Sequence, residues 1–167
     1  LFKAFGFNNV AVLDGGLPEW EQAGLPVEPK RSTELASGDF EADYNPLYFN
    51  FFKDIKRISS DSNCLILDAR SSNRFEGLVD EPRKGLRSGH IPNSVNLPFA
   101  NLLDGNCLKS KAELKAIFEG LNNSDKTLVF SCGSGITACI LALAAQISGY
   151  TDLSVYDGSW TEYGSLT

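Results

Sequence analysis

Thr127-Leu-Val-Phe-Ser131-Cys132-Gly133-Ser134-Gly135-Ile136-Thr137, running on into ACILALAAQIS (138–148) and Gly149, is the stretch that decides the fold. Five mostly apolar residues without alternation read as a short strand buried on both faces, the pattern of a parallel sheet. Two glycines within three positions then open a tight turn. The apolar run from Thr137 to Ser148 reads as a helix stopped by Gly149. Strand, Gly-rich turn and helix form one unit of a wound α/β sheet, in which chemistry sits at the carboxyl ends of strands.

Working outward, residues 51–59 (FFKDIKRIS) carry apolar side chains at helical spacing and precede a second buried strand, CLILD at 64–68. Residues 94–98 (SVNLP) read as another short strand. Ser110-Lys-Ala-Glu113 is a capping box opening a helix to about Leu121, since Ser110 can accept the Glu113 amide while Glu113 reaches back. Residues 153–156 (LSVY) supply a further strand. The prediction is an α/β fold with a mostly parallel wound sheet and helices on both faces.

Gly6 to Trp20 (GFNNVAVLDGGLPEW) aligns without a gap on residues 149–163 (GYTDLSVYDGSWTEY), at an offset of 143. A capping Gly, a short strand, an Asp-Gly turn and a short helix are thus expected twice. The chain is read as the tail of one domain (1–22), a Pro-, Gly- and polar-rich interdomain linker (23–50) and a whole second copy (51–167). With no Met in its 167 residues and no signal h-region at its start, the chain is expected to be a fragment.

Fifteen Lys and Arg against 21 Asp and Glu give a formal charge of −6. That balance argues against nucleic-acid and anionic-membrane partners, and no apolar run approaches a membrane span. The four cysteines, Cys64, Cys107, Cys132 and Cys139, form no C-x-x-C pair, and His90 is the one histidine, so no structural zinc site is expected. Scattered cysteines suit a reducing, cytoplasmic setting.

Cys132 stands where the strand ends and the turn begins, so unpaired amides of the turn and helix start can point at its sulfur. Such a setting favours the thiolate, the nucleophilic form. The other three cysteines read as structural. A Cys-x5-Arg phosphatase would need Arg at position 138, which is Ala138, and thiol-protease chemistry lacks a free His, because His90 sits in a Gly89-His90-Ile91-Pro92 turn as a turn-fixing residue. A loop from Cys132 to Thr137 without Arg makes a small cradle suited to one transferred atom such as a sulfane sulfur. Arg70, Arg74, Arg83 and Arg87, with Lys84, follow strand CLILD and can face the same rim. There they either hold a small anionic substrate bidentately or form a solvated basic loop paired with Glu76, Asp80 and Glu81.

Taken together, CGSGIT (132–137), Arg74-Phe75 with Glu81-Pro82-Arg83, Gly89-His90-Ile91-Pro92 and YDGSW (156–160) resemble the two-domain rhodanese-like sulfurtransferases, in the branch that uses 3-mercaptopyruvate. The resemblance implies a rhodanese-like fold and a double displacement through a Cys132 persulfide, from a small anionic sulfur donor, 3-mercaptopyruvate, to cyanide or a thiol such as thioredoxin. Pyruvate would be released, and no metal or organic cofactor would be needed. It also implies that Arg74 and Arg83 bind the donor carboxylate, that Ser134 assists proton handling, and that Gly133, Gly135, Ile136 and Thr137 line the persulfide. In the family an amino-terminal rhodanese domain covers the site and supplies an acidic residue; here only its tail is present, so the isolated chain is expected to be weakly active or inactive. The competing readings are a thiosulfate:cyanide sulfurtransferase, which the neutral loop disfavours, and a non-catalytic rhodanese module, which the intact Cys132 loop disfavours.

Overall fold

A computed structural model describes residues 1–29, 37–122 and 126–167. In chain order the elements are α1 (Gly16–Gln22), β1 (Phe49–Asn50), α2 (Phe52–Ile58), β2 (Cys64–Asp68), α3 (Ser72–Phe75), β3 (Ser94–Asn96), β4 (Leu103–Asp104), β5 (Cys107–Leu108), α4 (Lys111–Leu121), β6 (Thr127–Ser131), α5 (Ala138–Ser148), β7 (Leu153–Tyr156) and α6 (Ser159–Leu166). Five strands form one parallel sheet in the order β1-β7-β6-β2-β3. The α/β fold expected from the sequence is the one observed.

Alternation along the central strands separates two cores. Leu65 and Leu67 of β2, with Leu128 and Phe130 of β6, face α4 and α5. Ile66 and Val129, between them in sequence, face α2 and α6 through Ile55, Ile58, Trp160 and Tyr163. Because both faces are covered, the strands read as continuous apolar runs. Each fully buried Leu or Phe contributes ~1.5–3 kcal/mol. The capping box is present, with Ser110 N–H donating to Glu113 Oε2 at 3.0 Å and Glu113 N–H donating to Ser110 Oγ at 3.4 Å.

Three features depart from the sequence reading. Phe49–Asn50 pairs with Val155 and Tyr156 as the edge strand, although the stretch 23–50 shows no strand period; residues 30–36 of that stretch lie outside the described residues. The β4–β5 hairpin encloses Cys107, a position that reads as loop in the sequence. In the first copy of the repeat, Gly6 caps in the left-handed region (φ 85°), as Gly149 does (φ 105°), and α1 forms, but residues 10–13 carry no strand because they have no ladder partner. The turn between them and α1 rests on the hairpin instead: Asp14 Oδ1 accepts the Leu108 N–H at 2.9 Å, and Asn106 Nδ2 donates to Glu19 Oε1 at 2.8 Å. None of the helices is long and apolar enough to cross a membrane, among the described residues.

Candidate active site

Cys132 follows the last residue of β6 and is 2% exposed. Its main chain is held by the start of α6. The Cys132 N–H donates to Ser159 Oγ at 3.0 Å, while the Trp160 and Thr161 amides donate to the Cys132 and Gly133 carbonyls, each at 2.9 Å. The unpaired first-turn amides of α6 thus find acceptors in the loop. Gly135 is left-handed at φ 83°, and a Cβ there would stand 2.7 Å from the Asp157 carbonyl oxygen, so the turn accepts only glycine.

Burial pushes the Cys132 thiol up, but the Thr137 hydroxyl, the Ala138 and Ser134 amides and the Ser159 hydroxyl outweigh it, and the net shift is downward. Hydrogen bonds that the thiolate accepts more strongly than the thiol produce that sign. Ser159 Oγ stands 4.0 Å from Sγ and has the Tyr156 carbonyl, 2.9 Å away, as an alternative acceptor for its proton. By contrast, burial, reinforced by Asp61, raises Cys64, and burial followed by the Asp14 and Glu19 charges raises Cys107. Cys139 is exposed rather than structural core; its thiol donates to the Gly135 carbonyl at 3.3 Å, and partial burial raises it. Only Cys132 is shifted toward the nucleophile.

The arginine-rich segment divides into distinct roles. Arg70 is buried, not solvated: it donates to Asp68 Oδ2 (2.8 Å), Glu81 Oε1 (2.9 Å) and the Gly89 carbonyl (2.8 Å), and lies 4.9 Å over the Trp160 ring. Arg87 covers the same ring at 4.5 Å and donates to Thr167. Arg74 pairs with Glu81 and reaches the loop, its Nη2 standing 3.0 Å from where a Cβ on Gly133 would be. Arg83 is exposed on the same segment, and its side chain has no hydrogen bond or ion pair among the described residues. Of the three acids expected to pair with this segment, Glu81 does so; Glu76 and Asp80 form no ion pair among the described residues. His90 fixes its turn, as its sequence setting implies, with Nδ1 2.8 Å from the Phe75 carbonyl and its ring stacked on Phe75 at 4.1 Å.

The sequence-predicted residues Cys132, Gly133, Ser134, Gly135, Thr137 and Arg74 therefore converge. The Ile136 side chain is 75% exposed at the loop tip and Arg83 stands clear of the loop's hydrogen bonds. Sequence reasoning missed Ala138 and Ser159 as donors to the sulfur; it named Glu81 among three acids for the segment without singling out its shared grip on Arg70 and Arg74. The YDGSW motif containing Ser159 was visible; its reach back to the Cys132 loop was not. A groove of about 880 Å³ between the first residues of the chain and α5 contains neither Cys132 nor Arg74. Anion-stabilising geometry, not cavity size, marks the site.

Residues 52–166 match the rhodanese-like domain. The chain is 39% identical over 165 residues to human 3-mercaptopyruvate sulfurtransferase, covering 98% of this chain and 55% of that protein. It is 38% identical over 168 residues to bovine thiosulfate sulfurtransferase, covering 98% and 56%. Among solved structures, SseA of Escherichia coli, described as a 3-mercaptopyruvate sulfotransferase, superposes with a TM-score of 0.80 at 38% identity, over 95% of this chain and 59% of that one. The chain spans a little over half the length of these relatives. From the matched domain, the shared sheet and these identities, the chain belongs to the rhodanese-like domain family.

Proposed function

We propose that this chain is the persulfide-forming half of a sulfurtransferase that takes sulfur from 3-mercaptopyruvate. The observation that carries the reading is the acidified Cys132 thiol in a loop without cationic side chains, with Arg74 laid against Gly133. The Cys132 thiolate attacks the donor sulfur. The carbon–sulfur bond breaks, its electron pair stays on carbon, and the donor's thiol proton ends on that carbon, so pyruvate leaves and Cys132 keeps a persulfide anion. The hydroxyls of Thr137 and Ser159 and the amides of Ser134 and Ala138 stabilise that anion. An acceptor thiolate, from a small thiol or thioredoxin, then attacks the outer sulfur and returns Cys132 to its thiolate. Arg74 and Arg83 bind the donor carboxylate, and Ser134, exposed at the mouth of the loop, handles the proton. A first rhodanese-like domain, whose tail is residues 1–22, completes the enzyme, so the isolated chain turns over slowly.

Identity to bovine thiosulfate sulfurtransferase supports a second donor, thiosulfate, by the same chemistry. Mass spectrometry after incubation with each donor separates the readings. The expected result is a gain of one sulfur atom on Cys132, faster with 3-mercaptopyruvate; faster loading by thiosulfate reverses the donor assignment, and no gain with either rejects the enzyme reading.

A further inference from the structure

Glu81 is 1% exposed at its side chain and is shared by two arginines. Its Oε1 accepts from buried Arg70 Nη1 at 2.9 Å and from Arg74 Nε at 3.2 Å, while its Oε2 accepts from Arg74 Nη2 at 2.6 Å. Arg70 is immobilised in turn by Asp68 and the Gly89 carbonyl. A guanidinium carries five N–H donors in a fixed fork. Glu81 takes the Nε–Nη2 edge of Arg74, which leaves the Nη1–Nη2 edge free for a second carboxylate. The Arg74 side chain is 27% exposed, whereas everything that grips it is buried, so its fork is oriented before substrate arrives. The charges of Asp68, Arg70, Glu81 and Arg74 sum to zero, while Arg83 and Lys84 form no ion pair among the described residues.

We infer that Glu81 is a positioning and specificity-determining residue: it aims the free edge of Arg74 at the donor carboxylate and, by neutralising that arginine, sets the site against dianionic donors. This rests on the donor assignment proposed above. A monoanion gains from a well-aimed fork even when the local charge is balanced, whereas a dianion such as thiosulfate gains chiefly from net positive charge.

The test compares the chain with Glu81→Gln, Arg74→Gln and the double variant, following sulfur loading of Cys132 by mass spectrometry as a function of donor concentration. Three donors are used: 3-mercaptopyruvate, thiosulfate and inorganic polysulfide. Glu81→Gln is expected to raise the half-saturating 3-mercaptopyruvate concentration about tenfold with a plateau rate within about twofold. It is also expected to speed loading by both dianionic donors, thiosulfate and polysulfide, about threefold. In the Arg74→Gln background, Glu81→Gln adds nothing with 3-mercaptopyruvate. Equal slowing with all three donors, no change with any, or a full Glu81→Gln effect in the Arg74→Gln background overturns the inference. If the parent chain takes no sulfur from 3-mercaptopyruvate but does from thiosulfate, the donor assignment falls by itself, and the thiosulfate arm still decides the role of Glu81.

Discussion

Thr137 shows how little separates a structural thiol from a nucleophile at the residue scale. Cys139 lies seven residues beyond Cys132, in the first turn of α5, and is raised, while Cys132 is lowered, because the loop hydroxyls and amides converge on Cys132 alone. Thr137 supplies the largest of the effects that oppose burial. Replacing it with isosteric Val removes that effect and so moves the thiol upward. For a thiol, a higher pKa means less thiolate at every pH below it. Thr137→Val is therefore expected to move the midpoint of the loading-rate profile to higher pH. Loading at neutral pH is expected to slow by at most about tenfold for every whole pH step that the midpoint rises; a profile measured with saturating donor checks this. A midpoint unchanged by the substitution removes Thr137 from the thiolate's support.

At the scale of elements, the strands were legible and the contacts between elements were not. β2 and β6 announce themselves as unbroken apolar runs because both faces are covered, and α4 announces itself by its capping box. β1 escapes because two residues in a polar stretch carry no period. The β4–β5 hairpin had its signal in Asp104-Gly105-Asn106 between two short apolar pairs. Cys132 and its loop were legible because strand, glycines and helix are contiguous in sequence; Ser159 was not, because it reaches the loop from 27 residues away, and Glu81 stood only as one of three acids that could pair with the arginines. The grip of α6 on the loop is such a contact. Ser159 is fully buried at φ 49°, a backbone region that costs a serine energy, and its hydroxyl is the acceptor for the Cys132 amide. Ser159→Ala leaves that buried amide unpaired and is expected to cost about 1–3 kcal/mol in urea denaturation while slowing sulfur loading. Unchanged stability would show that the amide finds another acceptor.

The repeat ties the two ends of the chain into one description at the scale of the whole molecule. Asp157-Gly158 leads into the helix that holds the Cys132 loop, while the aligned Asp14-Gly15 leads into α1 and holds the β4–β5 hairpin. One sequence motif therefore serves the Cys132 loop at one end and a packing contact at the other. Asp14→Ala removes the acceptor of the Leu108 amide. Hydrogen exchange at Leu108 is expected to quicken about fivefold to tenfold, the effect of losing one partly exposed hydrogen bond to a charged group, with exchange in β6 unchanged. Faster exchange throughout the sheet would mean that the first residues stabilise the entire fold.

The hold of α6 on the Cys132 and Gly133 carbonyls also has a consequence for the order in which the protein is made. Translation delivers residue 132 well before residues 159–161, so a nascent chain emerging from the ribosome presents its cysteine before the groups that fasten its loop exist. Until then the sulfur lacks the Ser159 donor and the loop lacks its three tethers. The loop is thus fully fastened only once the segment carrying α6 has folded back onto the sheet.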